Sequence, residues 1–329
     1  MYALLLSWIL TIEGGACSDN ITTMKAAVYT HYGPPDVLSV VQVPKPKPKK
    51  GEILVKIHAA TVTSGDARLR AFDFPKVFWL PARLIFGLFS PKKQILGHEL
   101  SGVVEEVGSS CTKFKVGDEV FGTTTMLKGG SYAEYVCLPE EWKSGVVEHK
   151  PKNMKFDQAA ALPIGCMTAM CLFDKANLTS GEKNVLIYGA SGSVGTYAVQ
   201  YAVAKGSTVT AVCSGKNHEM VKGLGAKHTI DYTTTDYSKG TDKYDVVFDA
   251  VGKSSKAQAK KVLANGGKFV SVNMMTEEKG THLKQIKSMA EEGLLKPFID
   301  KYYSLDEIVD AHEYVDSGHK RGNVVIKIV

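Results

Sequence analysis

Two hydrophobic rhythms divide the chain. From Met24 to Glu148, short apolar runs such as Ile53–His58 and Gly102–Val107 are bounded by glycine and proline. This pattern predicts short strands with tight turns, folded into a compact barrel-like domain. Beyond Pro151 the rhythm changes, and strand-length apolar runs alternate with longer helical stretches: Asn184–Tyr188, Val209–Cys213, His228–Asp231, Val246–Asp249 and Lys268–Val272. That alternation predicts an α/β unit with a doubly wound parallel sheet. Residues 323–329 are β-like again after helical segments, so the chain is expected to return to its first unit. One domain then comprises residues 24–147 with 296–329, the other residues 148–295, and a ligand cleft falls between them.

The run Asn184–Tyr188 breaks into a turn with glycines at Gly189, Gly192 and Gly195, followed by a helical stretch from Thr196 to Lys205. The first glycine allows a tight turn and the second lets backbone N–H groups approach a pyrophosphate. The third lets helix and sheet pack closely, which leaves an anion at the positive helix N-terminus, beside Ser193 and Val194. Roughly 20 positions past such a turn an acid reads the ribose of NAD. Here that place is held by Cys213, Ser214, Gly215 and Lys216. A hydroxyl and a lysine suit a 2′-phosphate, so the expected cofactor is NADPH, with Ser214 and Lys216 around the phosphate.

Composition changes this picture little. A chain of 329 residues, 44% apolar and 22% charged, has the material for two cores and the balance of a soluble enzyme. The net charge of +6 has its densest run at Lys45–Lys50, where prolines alternate with lysines in a solvated loop. Nucleic-acid binding is therefore not expected. The six cysteines form no C-x-x-C pair, which argues against a structural zinc lobe and for free thiols in a reducing compartment. Residues 1–23 contain an apolar run, Tyr2–Ile12, with no Lys or Arg before it and too short to cross a bilayer. Because Met24–Tyr29 opens like a domain start, residues 1–23 are read as a leader or a mis-assigned start. A cytoplasmic location follows, with secretion or organelle import through residues 1–23 as the alternative.

Several further motifs occur in order: Gly97–Gly108, Phe114–Gly122, Gly130–Val136, Ala159–Pro163, the Gly189 turn and Asp249–Gly252. Together they resemble the medium-chain dehydrogenase/reductase superfamily, in its zinc-free, quinone-oxidoreductase-like branch, over nearly the whole chain from Met24. The resemblance implies a GroES-like β-barrel catalytic domain and a Rossmann cofactor domain. In zinc-dependent relatives a cysteine stands three positions before the aspartate here numbered Asp66; this chain has Thr63 there. Another metal position falls on Ile164, with Cys166 close by, and only His98, beside Glu99, survives. No catalytic zinc is expected, because a zinc site needs three protein donors. The resemblance also implies cofactor contacts at Thr168, Tyr232 and Val251. Many relatives carry a lysine where this chain has Asn323, and the resemblance makes Asn323 the expected cofactor contact there.

Without a Lewis acid, hydride can still pass to an acceptor that delocalises the arriving charge, namely a quinone or an α,β-unsaturated carbonyl. Thr63 and Tyr132 are the candidate hydrogen-bond donors for the oxyanion. An alcohol or aldehyde dehydrogenase, and a protein that binds NADPH without turnover, are the alternatives. The aromatic-rich segment Phe72–Phe89 is read as the wall of an apolar substrate pocket at the domain boundary, with a core-packing insertion and a patch resting on a membrane or partner surface as the alternatives. After Val272 the chain reaches Leu283–Pro297 with no further strand evident, so the edge through which relatives commonly form homodimers is missing here.

Overall fold

The computed structural model describes residues 22–329. Of the segment read as a leader, residues 1–21 lie outside this range. The first half is β-rich. Strands β1 (Thr23–Val28) and β2 (Ser39–Pro44) form an antiparallel pair, and β3 (Glu52–Thr61) is followed by helices α1 (Ser64–Ala71) and α2 (Lys76–Phe86). Then come β4 (Glu99–Val107), β5 (Glu119–Thr123), β6 (Tyr135–Pro139) and β7 (Val147–His149), before two helices, α3 (Phe156–Ala160) and α4 (Pro163–Ala176).

The second half alternates: β8 (Asn184–Tyr188), α5 (Ser193–Ala204), β9 (Thr208–Cys213), α6 (His218–Gly223), β10 (His228–Asp231), β11 (Tyr244–Asp249), α7 (Lys256–Val262), β12 (Leu263–Ser271) and α8 (Gly280–Glu291). The chain ends with β13 (Ile299–Ser304), α9 (Ile308–Asp316) and β14 (Asn323–Lys327). Strands β8 to β12 form a parallel sheet in the order β10-β9-β8-β11-β12. The order reverses between β8 and β11, the place where open α/β sheets bind ligands.

Strand periodicity explains how both faces of this sheet are covered. Val185, Ile187, Val209, Ala211, Val246 and Phe248 point into a core with α4, α5 and α8. Their neighbours Leu186, Val212 and Val247 point the other way, into a smaller core with Ala259 and Val262 of α7. Among the described residues β12 is the last strand of this sheet and forms one of its edges. The second sheet runs β13-β14-β3-β4-β5-β7, with β6 also paired to β3. Thus the last two strands join the sheet of the N-terminal half, and β14 lies antiparallel to β3.

The segment Phe72–Phe89 differs from the expectation. It forms α2, whose Val77, Phe78, Leu80, Leu84 and Ile85 are exposed; it is not a buried pocket wall. Only Ala82 of this helix is buried. Among the described residues no helix is long and apolar enough to cross a membrane.

Candidate functional site: a cleft at the sheet switch point

The floor of the site is the turn between β8 and α5. Gly189 has φ +78°, and a Cβ there would lie 2.5 Å from the Val251 side chain. At Gly195 a Cβ would sit 2.2 Å from the Gly189 carbonyl oxygen, so only glycine permits this approach of helix to turn. Gly192 begins α5 without any side-chain cap. The first N–H groups of the helix, at Ser193, Val194 and Gly195, are therefore available to an anion. The site thus fits a pyrophosphate on its own geometry.

Around this floor the remaining cofactor candidates separate. Thr168 and Ile164 lie four residues apart on α4 and are the only partly exposed positions between Pro163 and Phe173, so they share the face that meets solvent. Lys216 is exposed, and the Ser214 hydroxyl accepts from Asn217 at 3.2 Å. The turn here is tied from below by Asp231, which accepts from the Gly215 N–H at 3.0 Å and from Thr233. This carboxylate was not anticipated, because it arrives from β10. Tyr232, 54% exposed, lines a cavity of about 190 Å³ with Tyr188, Asp236, Tyr237, Lys253 and Ser254. Lys253 is a second cation here that the sequence reasoning missed. Val251 is partly exposed, and the buried Asp249 carboxylate holds its loop through the N–H groups of Val251, Gly252 and Ser254.

Asn323 does not line this floor. It is 3% exposed and its amide is fully engaged, accepting from the Ser193 hydroxyl at 2.6 Å and donating to Tyr197 and to the Phe298 carbonyl. It positions the α5 N-terminus against β14, which corrects the expectation of a cofactor contact.

The opposite wall is built on Asp66, which is wholly buried. One oxygen accepts from the Thr63 N–H at 2.9 Å and the Thr63 hydroxyl at 2.6 Å. The other accepts from the Gly97 N–H at 3.0 Å and lies 2.6 Å from His98 Nδ1. Burial would raise the pKa of this carboxyl. The His98 ring and the Thr63 hydrogen bonds outweigh burial and hold it well below the ordinary value. An ionised carboxylate only accepts, so His98 Nδ1 donates to it and Nε2 remains for other chemistry.

Thr63 itself is the N-cap of α1, in a reciprocal capping box with Asp66. Its one hydroxyl proton is spent on Asp66, so in this arrangement it does not serve as an oxyanion donor. Tyr132 departs further from expectation. Its ring is fully buried and its hydroxyl donates to the Thr61 carbonyl at 3.2 Å, which makes it a core residue behind the wall.

Four charged groups near this wall were not singled out as site residues. Glu99, 1% exposed, accepts from the Thr61 hydroxyl and from the Ile164 N–H at 2.7 Å, which ties the wall to the start of α4; burial pushes its carboxyl up to about 7. Lys93 donates to Thr124 at 3.0 Å, and burial pulls its ammonium down to about 8, although Asp66 and Glu278 oppose this. Lys320 is likewise pulled down to about 8 by burial, against the attraction of Glu99. Glu278, on the connection between β12 and α8, reaches across to the Thr123 and Thr125 hydroxyls, and burial raises its pKa. Their convergence is tertiary and leaves no local motif. Among the described residues no three His, Cys, Asp or Glu side chains are grouped so as to hold a metal.

Comparison with known proteins agrees with this geometry. Residues 49–151 match the alcohol dehydrogenase GroES-like domain, and residues 193–295 and 272–326 match zinc-binding dehydrogenase models. A 2-methylene-furan-3-one reductase of Solanum lycopersicum is 36% identical over 323 residues, covering 92% of this chain and 79% of the relative. The chain belongs to the medium-chain dehydrogenase/reductase superfamily. Another relative within the superfamily, the chloroplastic NADPH-dependent alkenal/one oxidoreductase of Arabidopsis thaliana, is 34% identical over 92% of this chain and 79% of its own length. The quinone oxidoreductase of Coxiella burnetii superposes with a TM-score of 0.79 at 28% identity, covering 94% of this chain and all of that structure. The parallel sheet and the glycine turn are thus those of a dehydrogenase/reductase cofactor domain.

Proposed function

We propose that this chain is an NADPH-dependent oxidoreductase that reduces a quinone or an α,β-unsaturated carbonyl without a metal. The observation that carries the reading is an uncapped α5 N-terminus tied through Asn323 of β14 to the sheet that bears Glu99, next to the Asp66–His98 pair, where Thr63 caps a helix. The relatives named as NADPH-dependent alkenal/one reductase and quinone oxidoreductase support it. When bound, the nicotinamide supplies the hydride. The protein's part is to orient two planar partners, exclude water and manage the proton.

Residues divide this work. The N–H groups at Ser193 and Val194 hold the pyrophosphate, and Ser214 and Lys216 take the 2′-phosphate, whose charge an exposed ammonium suits. Ile164 and Thr168 face the nicotinamide end. His98, with Nδ1 fixed on Asp66, presents Nε2 to the oxygen on which charge develops; Lys93 and Lys320 are proton reservoirs beside it. The acceptor is a small apolar molecule. All five cysteines in the described residues are free, in keeping with a reducing compartment, for which we propose the cytoplasm.

The test is direct. Purified protein is given NADPH or NADH with a naphthoquinone or a long-chain alkenal, with and without a chelator. Chelator-insensitive oxidation that prefers NADPH supports the reading. Chelator-sensitive alcohol oxidation returns the chain to the zinc alcohol dehydrogenases, and tight NADPH binding without turnover makes it a cofactor-binding module.

A further inference from the structure

A surface helix normally turns its apolar side inward, and α2 does the reverse. Val77 is 83% exposed, Phe78 62%, Leu84 62%, and Phe89 just beyond the helix 90%. Leu80, Ile85 and Leu88 are exposed with them. The inner side is occupied by Ala82, by Phe86 packed on the core and by Arg83, whose guanidinium lies 4.1 Å from the Phe72 ring centroid and 5.0 Å from that of Trp79. The helix is thus clamped to the fold by its cation and presents its aliphatic and aromatic residues to solvent. So dense an apolar patch marks a contact surface.

Charge selects the occupant. Between Asp73 and Glu99 the chain carries Lys76, Arg83, Lys92 and Lys93 and no carboxylate at all. Lys76 begins the helix, and the Lys92 ammonium folds back to donate to the Leu84 carbonyl at 2.8 Å, so cations frame both ends of the apolar side. A second copy of the chain fits this poorly. A two-fold contact would bring the patch onto itself and set these cations against their own copies. Aromatic and branched aliphatic groups framed by lysines, on a helix too short to span a bilayer, are the composition of a segment lying in the headgroup layer.

We propose that α2 and the turn through Phe89 dock this protein on an anionic lipid surface, with Phe78, Leu84 and Phe89 inserted among the acyl chains and Lys76 and Lys92 at the headgroups. The chain leads from the docked segment to the site: Lys93, four residues past Phe89, bonds Thr124, and His98 follows five residues later. An apolar acceptor dissolved in the bilayer would then enter from the docked side. Only this last consequence rests on the reductase reading; the docking itself does not.

The experiment uses the full chain and sedimentation with phosphatidylcholine vesicles, with and without phosphatidylglycerol. Its partner is the triple variant Phe78→Ser, Leu84→Ser and Phe89→Ser, all at exposed positions, with an unchanged urea midpoint as the fold control. The wild type should sediment with anionic vesicles, lose this in high salt, and exceed the variant by at least about tenfold in partition. Failure of the wild type to bind overturns the proposal. So does equal binding by the variant, which assigns attachment to another part of the chain. A wild-type dimer in solution that the variant converts to monomer also overturns it, in favour of a second copy. None of these outcomes depends on turnover, so the docking and the reductase reading fail separately.

Discussion

Replacing Asp66 by Asn tests the account of the cleft wall more severely than any other single change. The carboxylate accepts four hydrogen bonds while wholly buried. An amide of the same shape keeps one accepting oxygen. If that oxygen stays with Gly97 and His98, the new NH₂ faces the Thr63 N–H, where donor meets donor, and the Thr63 hydroxyl must turn to accept, so both charge-assisted bonds are lost. Hydrogen bonds to a charged group contribute roughly 1.5–3 kcal/mol each, and removing one side of a buried charge pair costs about 3–5 kcal/mol. A loss of about 4 kcal/mol, at a urea slope of roughly 2 kcal/mol per molar, lowers the unfolding midpoint by about 2 M.

The pH dependence supplies a second signature. The folded pKa of Asp66 is depressed. Its contribution is therefore complete above the ordinary carboxylate pKa and is lost as pH falls through the lower, folded value. Asp118, Asp231 and Asp300 are depressed as well, so the informative quantity is the difference between the two proteins. That difference should be large at neutral pH and shrink towards strongly acid pH. A midpoint shift below about 0.5 M at neutral pH, or a difference independent of pH, would refute the four-bond account.

Other expectations are quickly stated. Lys216→Ala should weaken NADPH binding about tenfold and leave NADH almost unchanged, measured by fluorescence titration; equal loss for both would remove Lys216 from the 2′-phosphate. Gly195→Ala, with its Cβ forced to 2.2 Å from a backbone oxygen, should cost about 1–3 kcal/mol and cofactor affinity. Gly192→Ala, whose nearest neighbour is at 3.6 Å, should be tolerated in thermal unfolding; the reverse ranking would disprove the turn geometry. Glu99 has a carboxyl pushed up to about 7 from 4.5 by burial, so the fold gains from its proton below the lower value and loses that gain as pH rises through the upper one, by roughly 3 kcal/mol at most. Glu99→Gln should flatten stability between these limits, and an unaltered slope in urea titrations counts against a buried Glu99.

Legibility in the sequence followed the range of the interactions. Strand β8 and the turn at Gly189 are local events, set by an apolar run and a glycine that must take positive φ, and both were placed from sequence. The strands β9 and β11 follow for the same reason, since alternate residues enter two different cores, whereas edge strand β10 packs only Ile230 on the smaller one. By contrast β13 went unread, because its Lys301, Tyr302 and Ser304 leave half its length in solvent and its pairing partner is supplied by β14. Motif position also says nothing about where a side chain turns. Tyr132 and Asn323 stand in the expected places along the chain, yet one points into the core and the other behind the helix it was expected to flank. Glu278 comes close to His98 and Lys93, and Lys320 to Glu99 and Asp66, each from a segment far along the chain, which no window of sequence reveals.

Those long-range ties decide what in the site can move. Thr61 ends β3, Glu99 begins β4, and the Glu99 carboxylate joins that hydrogen-bonded pair of strands to the first turn of α4. Strand β14 pairs with β3, and its Asn323 and the preceding Gly322 hold Ser193 and Ser191 at the head of α5. Hence the Asp66–His98 wall and the pyrophosphate turn are referenced to one sheet through buried polar contacts, each costly to leave unpaired. The spacing between the Asp66–His98 pair and the head of α5 is therefore set by that sheet rather than by a hinge. The connection after β12 is the looser part: residues 273–277 are exposed, Asn273 donates to the Gly252 carbonyl, and Glu278 accepts from the Thr123 and Thr125 hydroxyls. With few buried ties it opens at lower cost than the sheet beneath it.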